Sequence, residues 1–342
     1  MLLIHASCNI ACVKKQFLHI NSLELELGGK LEGLDLCYHI NEVKQAKKVV
    51  WVFHALTASS NPFNWWSDLL DKAEWLDPEQ DLIICANLLG SCYGTKWDLA
   101  IDTNNKGTEL PKLTIRDNIA AFELLREYLS IDSIDIGIGG SLGGAQLLEW
   151  TVSQPSLFKE SILLACGAKE SSWGKAAHYA QRRSIEVDPN FIKGKYETAI
   201  EGLKIARSIG MLTYRSQACY KAFQSDDASE VENYKIVGYL QYQEEKFAEH
   251  FDAKSYYILS NTLDTHTIER NRKPADEVLA TIESRSLIIG INSDMLCPIE
   301  DQEYLAKHIN NAQLEKIDSI YGHDGFLIES DKINEIINSF LN

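Results

Sequence analysis

An α/β fold is predicted for this chain: a mostly parallel sheet with helices on both faces and a helical cap inserted into it. Three observations carry the prediction. Short apolar, β-branched runs alternate with amphipathic helical patterns, the mark of parallel strands joined by crossover helices. That alternation breaks from about Lys169 to about Asp276, where helical patterns such as YETAIEGLKIARSIGML follow one another, and it resumes with SLIIGINSD. The third is bulk composition: 342 residues, 45% hydrophobic and 24% charged, with no internal repeat or low-complexity tract, suit one α/β domain carrying an inserted subdomain. Residues 1–168 and 277–342 are assigned to the α/β domain and 169–276 to the cap, so a pocket is expected between cap and sheet.

The buried strands are read from VVWVF (Val49 to Phe53), LIICAN (Leu82 to Asn87), IDIGI (Ile134 to Ile138), SILLAC (Ser161 to Cys166) and SLIIGI (Ser286 to Ile291). Between the second and third of these, TIRDNIAAFELLREYL places Ile115, Ile119, Phe122 and Leu129 on one helical face, with Thr114 in position to cap it.

A formal charge of −16 excludes a general affinity for nucleic acid or acidic membranes, and an anionic substrate would need a local basic pocket. The eight cysteines are scattered, several within apolar runs, and read as reduced thiols. Cys8 and Cys12 form a close pair, but no second pair follows at zinc spacing, so no metal site is expected. The opening MLLIHASCNIACVKK, interrupted by His5 and Asn9 and without a basic leader, makes a poor signal peptide. Nowhere do 18 apolar residues run together, and the cytoplasm is the expected compartment.

The stretch DIGIGGSLGGAQLLEW carries the chemistry. Gly139, Ser141 and Gly143 fit G-x-S-x-G between a predicted strand and a predicted helix from Leu142 to about Ser153. In that context the glycines let strand and helix approach closely while the serine occupies a cramped, exposed turn, a nucleophile elbow. The acid and base should then follow in the chain order Ser, Asp or Glu, His, each at a strand end. Asp294, just after SLIIGI, and His323, in the glycine-flanked loop of SIYGHDGFL, meet both conditions. An oxyanion site needs two backbone N–H groups. Leu142, next after the nucleophile, and Leu56, in the VFHALTASS loop, are the expected donors, and His54 in that loop is read as structural.

Eight segments in order, FHALTASS, ANLLGSCYGT, LPKLTIRDNI, GGSLGGAQLLEW, IARSIGMLTYRS, FDAKSYYILSNTLDTHTIERNR, GINSDMLCP and GHDGFLIES, resemble the homoserine O-acetyltransferase family, over about Leu23 to Asn342. The resemblance implies an α/β-hydrolase fold with a helical cap, a homodimer, and ping-pong transfer of an acyl group from acetyl-CoA to L-homoserine, a step of methionine biosynthesis. It implies Ser141 as nucleophile with Asp294 and His323, Leu56 and Leu142 as oxyanion donors, and Arg207, Asp324 and nearby Tyr214 as the acceptor site. No bound cofactor is implied beyond acetyl-CoA as co-substrate. Chemically, an arginine fork suits an α-carboxylate and a carboxylate suits an α-ammonium.

The chain departs from the family pattern within the cap, with Thr267 in DTHT for the usual aspartate, Lys254 in DAKSY for asparagine, and IERNR at Ile268 to Arg272 for a glycine-rich stretch. These changes are expected near the mouth of the acyl-donor tunnel or at the dimer contact. They leave three alternatives open: L-serine as acceptor, succinyl as the acyl group, or an esterase or thioesterase in which water resolves the acyl-enzyme.

Overall fold

The computed structural model of the chain describes residues 13–98, 110–229 and 231–342; Cys8 and Cys12 lie outside them. Its centre is a nine-stranded sheet built from β1 (Lys14–Glu24), β2 (Lys30–Ile40), β3 (Val49–Phe53), β4 (Leu82–Ala86), β5 (Lys96–Asp98), β6 (Ile134–Gly140), β7 (Phe158–Leu164), β8 (Arg285–Ile291) and β9 (Ala312–Ile317). The spatial order is β1-β2-β4-β3-β6-β7-β8-β9, with β5 paired to β2. From β4 to β9 every pairing is parallel, while β1, β2 and β5 join antiparallel. The antiparallel hairpin β1–β2 was not expected from sequence. Its outer strand buries only Ile20 and Leu23, so it offers no apolar run to read.

The central strands are apolar on both faces because both are covered. In β3, Trp51 and Phe53 enter one core with Phe122, Trp150 and Phe158, while Val50 and Val52 enter the other with Ile136, Ile138, Leu287 and Ile289. Trp51 meets Trp150 edge to face at 4.9 Å between ring centroids, a geometry the ring quadrupoles favour. The helix Ile115–Tyr128 starts as its cap predicts. Thr114 accepts from Asp117 N, and the Asp117 carboxylate accepts in return from Thr114 N at 2.7 Å, a reciprocal capping box.

The chain moves outward from β3 to β4, then crosses back to β6, and at such a reversal the strand ends open a crevice. Over that crevice, between β7 and β8, lie the helices Ser172–Glu186, Ile200–Tyr214, Gln217–Phe223, Lys235–Ala248 and Ala253–Asp264. The short helix Ala275–Leu279 runs across the boundary expected at residue 276.

The turn from β6 into the helix Leu142–Ser153 is closely packed against β3. A Cβ on Gly143 would stand 2.2 Å from Phe53 O, and one on Gly139 would stand 2.5 Å from the Gly143 carbonyl carbon. Only glycine lets the helix start this close to β3 and β6. The helix is buried from Leu142 to Val152, so it cannot shift to make room.

The IERNR segment is bound to the α/β domain by ion pairs. Arg270 Nη2 lies 2.7 Å from Glu26 Oε2, and Arg272 Nη2 lies 2.5 Å from Glu149 Oε1. Arg116 joins both carboxylates, Nη1 at 2.9 Å from Glu26 and Nε at 3.1 Å from Glu149. These arginines and acids form one network, and Ile268 is fully buried beside it.

Two outcomes follow. Gly143→Ala should destabilise the protein by more than about 2 kcal/mol in chemical denaturation, since the backbone carbonyl it meets cannot move away. Glu149→Leu, which leaves Arg116 and Arg272 without their shared and nearly buried carboxylate, should cost about 3 kcal/mol in the same assay.

Candidate active site

Ser141 caps the buried helix with φ +56° and ψ −124°, a conformation that non-glycine residues seldom adopt. The strain turns its hydroxyl into the crevice. His323 Nε2 accepts from Ser141 Oγ at 2.8 Å, and His323 Nδ1 donates to Asp294 Oδ2 at 2.6 Å. The carboxylate can only accept, so it fixes the tautomer that leaves Nε2 free to take a proton. Asp294 is itself held: Oδ1 accepts from Leu296 N at 2.8 Å and Cys297 N at 2.9 Å. The three sequence-predicted residues therefore meet at the ends of β6, β8 and β9, although 182 positions separate Ser141 from His323.

His323 occupies a short turn, Gly322–Asp324, rather than an open loop. Gly322 has φ +66°, and a Cβ there would fall 2.7 Å from Ser216 N, because Tyr214–Ser216 of the cap packs directly on the turn. Burial opposes the imidazolium, but the Asp294 carboxylate, through charge and hydrogen bond, and then Asp324 and Glu170 hold the His323 pKa above its usual value.

The two expected oxyanion donors lie on elements next to the nucleophile turn. Leu142 N is the first N–H of the buried helix, one of the donors that a helix leaves without an internal partner, and Leu56 lies in the loop after β3. His54 bonds the serine through neither ring nitrogen. It is fully buried, with Nδ1 donating to Ala55 O at 2.9 Å and Nε2 accepting from Leu88 N at 3.0 Å, and burial pulls its pKa down to about 4. It ties the β3 and β4 loops together.

Arg207 and Tyr214, on the helix Ile200–Tyr214, reach the same crevice. The Tyr214 ring lies 6.2 Å from that of His323, and the Arg207 guanidinium sits over Tyr214 at 5.8 Å and over Phe247 at 5.0 Å. Arg207 donates to Gln243 Oε1 at 3.3 Å, while its buried Nε has no partner. Asp324 is not paired with Arg207. It lies 2.8 Å from Arg215 Nε, off the line of that N–H. Burial raises the Asp324 pKa, against the opposing pull of Arg215, His323 and Arg207.

Two residues were missed in sequence. Arg215 follows Tyr214 in the quoted LTYRS and had only its neighbour's proximity to recommend it. Glu170, six residues beyond β7, lines with Ser141, Cys166, Leu263 and Leu296 a cavity of about 20 Å³, room for one water-sized body. Its strand-end position was the available signal. Burial raises the Glu170 pKa. Thr267 pairs with Lys169 on the same side. Donor atoms of Asp294, Cys297 and His323 lie within 4.8 Å of one another. As a metal set they are poor, since the histidine and aspartate are bound to each other and burial holds the Cys297 thiol protonated.

Comparison with known proteins places this geometry. Residues 48–330 match the family described as alpha/beta hydrolase fold. The homoserine O-acetyltransferase of Cyclobacterium marinum is 39% identical over 324 residues, covering 93% of this chain and 92% of that protein. The crystal structure of homoserine O-acetyltransferase from Staphylococcus aureus matches with TM-score 0.81 at 29% identity, covering 96% of this chain and 95% of that one. Esterase E22 matches with TM-score 0.85 at 18% identity, covering 96% of this chain and 100% of that one, a likeness of fold alone. With its serine elbow and hydrogen-bonded histidine and aspartate beneath a helical cap, the chain belongs to the homoserine O-acetyltransferase family of α/β-hydrolase-fold enzymes.

Proposed function

We propose that the protein transfers an acetyl group from acetyl-CoA to the hydroxyl of L-homoserine by a ping-pong route through Ser141. The observation that carries the reading is the Ser141–His323–Asp294 chain standing beside Arg207 and Asp324 in one crevice. His323 Nε2 takes the Ser141 proton as Oγ attacks the thioester carbonyl. The oxyanion is stabilised by Leu142 N and Leu56 N, and the C–S bond breaks as the thiol leaves with the proton from His323. In the second half, His323 removes the proton of the acceptor hydroxyl, which attacks the acyl-enzyme and regenerates Ser141.

Arg207 is assigned the acceptor's α-carboxylate, through the Nε now lacking a partner, and Asp324 its α-ammonium. Tyr214 forms the wall between them and His323. Such a zwitterion site favours an amino acid over water as the resolving nucleophile. The Glu170 carboxyl on the wall of the cavity beside Ser141 supports acetyl over the anionic succinyl. The acyl donor is the only cofactor-like molecule invoked.

A homodimer is part of the same proposal. The helix Lys235–Ala248 has no fully buried residue and exposes Val237 and Tyr242, apolar surface that a second copy would cover. A cytoplasmic enzyme is proposed with it, and among the described residues no helix is long and apolar enough to cross a membrane.

Thiol release from acetyl-CoA and succinyl-CoA, measured with L-homoserine, with L-serine and with water alone, tests the reading. It should require homoserine and prefer acetyl-CoA; equal release without an amino acid would make the protein a hydrolase. Ser141→Ala should lower kcat by roughly 10⁴- to 10⁶-fold. Arg207→Met and Asp324→Asn should each raise KM for homoserine by about 10- to 100-fold while leaving acyl-enzyme formation from acetyl-CoA intact.

The pH profile has a definite sign. His323 works as the neutral base and its pKa is raised, so kcat/KM should fall as pH drops through a value above the ordinary 6.5. Asp294→Asn removes the main stabiliser of the imidazolium and should move that acid limb to lower pH, besides lowering kcat by about 10⁴-fold.

A further inference from the structure

Apart from the Ser141 crevice, the protein has a cavity of about 680 Å³ where the loop after β4, the turn at 194–198 and the start of the helix Ala253–Asp264 meet. Its wall carries Lys96, Lys195 and Lys254, together with the aromatic rings of Trp97 and Tyr196. The Lys254 ammonium lies 6.0 Å from the Trp97 ring centroid. In a chain of net charge −16 such a grouping stands out, because long-range repulsion of anions must be overcome locally. Of the two acids on the wall, Asp252 is already engaged: one carboxylate oxygen accepts from Ser255 N at 2.7 Å and the other from Ser255 Oγ at 2.9 Å. Glu197 is the second.

The helix Ala253–Asp264 links this cavity to the nucleophile. Lys254 and Ser255 at its first turn line the lysine cavity, and Leu263 at its last turn lines the cavity of Ser141. Lys254 and Leu263 are nine positions apart on the helix, an axial rise of about 13.5 Å. The two cavities thus lie at opposite ends of one helix.

We infer that the Lys96–Lys195–Lys254 cavity binds the phosphorylated nucleotide end of the acyl-CoA donor, with the lysines on its phosphates and Trp97 and Tyr196 offering faces for the adenine. Ammonium groups on flexible stems suit phosphate oxygens as point charges, and an aromatic face suits a planar base. The assignment rests on the proposed acyl-CoA chemistry but concerns binding. It therefore has a test that stands when the chemistry fails.

The decisive variant is Lys96→Ala/Lys195→Ala/Lys254→Ala, three side chains outside the catalytic machinery, with thermal unfolding as the check on folding. Steady-state kinetics with acetyl-CoA should show KM raised about tenfold or more, while KM for L-homoserine and kcat/KM for S-acetylpantetheine, which lacks the nucleotide, stay at wild-type values. An unchanged KM for acetyl-CoA, or equal losses with both donors, overturns the assignment. Calorimetric titration with adenosine 3′,5′-bisphosphate reads the same site without turnover. Binding to the wild type that weakens about tenfold in the variant and falls with added salt supports it, even if no acyl transfer is found. Absent binding, or equal binding to both proteins, overturns it.

Discussion

The backbone of Ser141 is the constraint on which the rest of the structure depends. A non-glycine residue at φ +56° costs on the order of 1–3 kcal/mol and persists only where its surroundings leave no alternative. Here the alternative is removed by close packing on three sides. Phe53 O stands where a Gly143 side chain would be, the helix beyond Leu142 is buried along its length, and Trp51, Phe53, Trp150 and Phe158 interlock beneath it. Each large apolar side chain fully withdrawn from water contributes about 1.5–3 kcal/mol, so a few of them offset the strained turn. The turn in turn sets the direction of Ser141 Oγ and aligns the first helical N–H groups with it.

Electrostatics around the histidine show how an acidic protein runs base chemistry. Asp294, Asp324 and Glu170 all act on His323, and each favours its charged form. That arrangement stabilises the imidazolium formed as the serine attacks. It also places buried carboxylates close together, which is tolerable because Arg215 and Arg207 lie on the cap side of the same crevice. The α/β domain thus supplies the nucleophile and its base, and the cap supplies the cations. The two halves are held in register by the Tyr214–Ser216 segment on the Gly322 turn, where the lack of a side chain permits backbone contact.

The departures from the family pattern separate into three environments. Thr267 pairs with Lys169 near the nucleophile, Lys254 enters a separate lysine-lined cavity, and Arg270 and Arg272 fasten the following segment to Glu26 and Glu149. The departures do not form one contiguous patch. Arg270 and Arg272 of IERNR are paired with acids of the α/β domain, which fixes the segment to it.

The amino-acid sequence by itself determined what rests on local pattern. The strands β3, β4, β6, β7 and β8 show as apolar runs because both faces of the sheet are covered there. Thr114 announces the helix it caps, and the glycines around Ser141 announce a turn that no other residue fits. The order Ser141, Asp294, His323 was legible because each follows a strand, and strand ends converge in a parallel sheet. Tertiary structure alone decided the rest, since it depends on partners distant in the chain. Arg270 finds Glu26 across 244 positions, Arg215 rather than Arg207 takes Asp324, and Glu170 comes to face Ser141. Likewise β1 exposes most of its residues and was invisible as a strand, because backbone pairing with β2, rather than burial, defines it. Periodicity records which residues avoid water, but a charged side chain's partner is set only when the sheet brings its ends together.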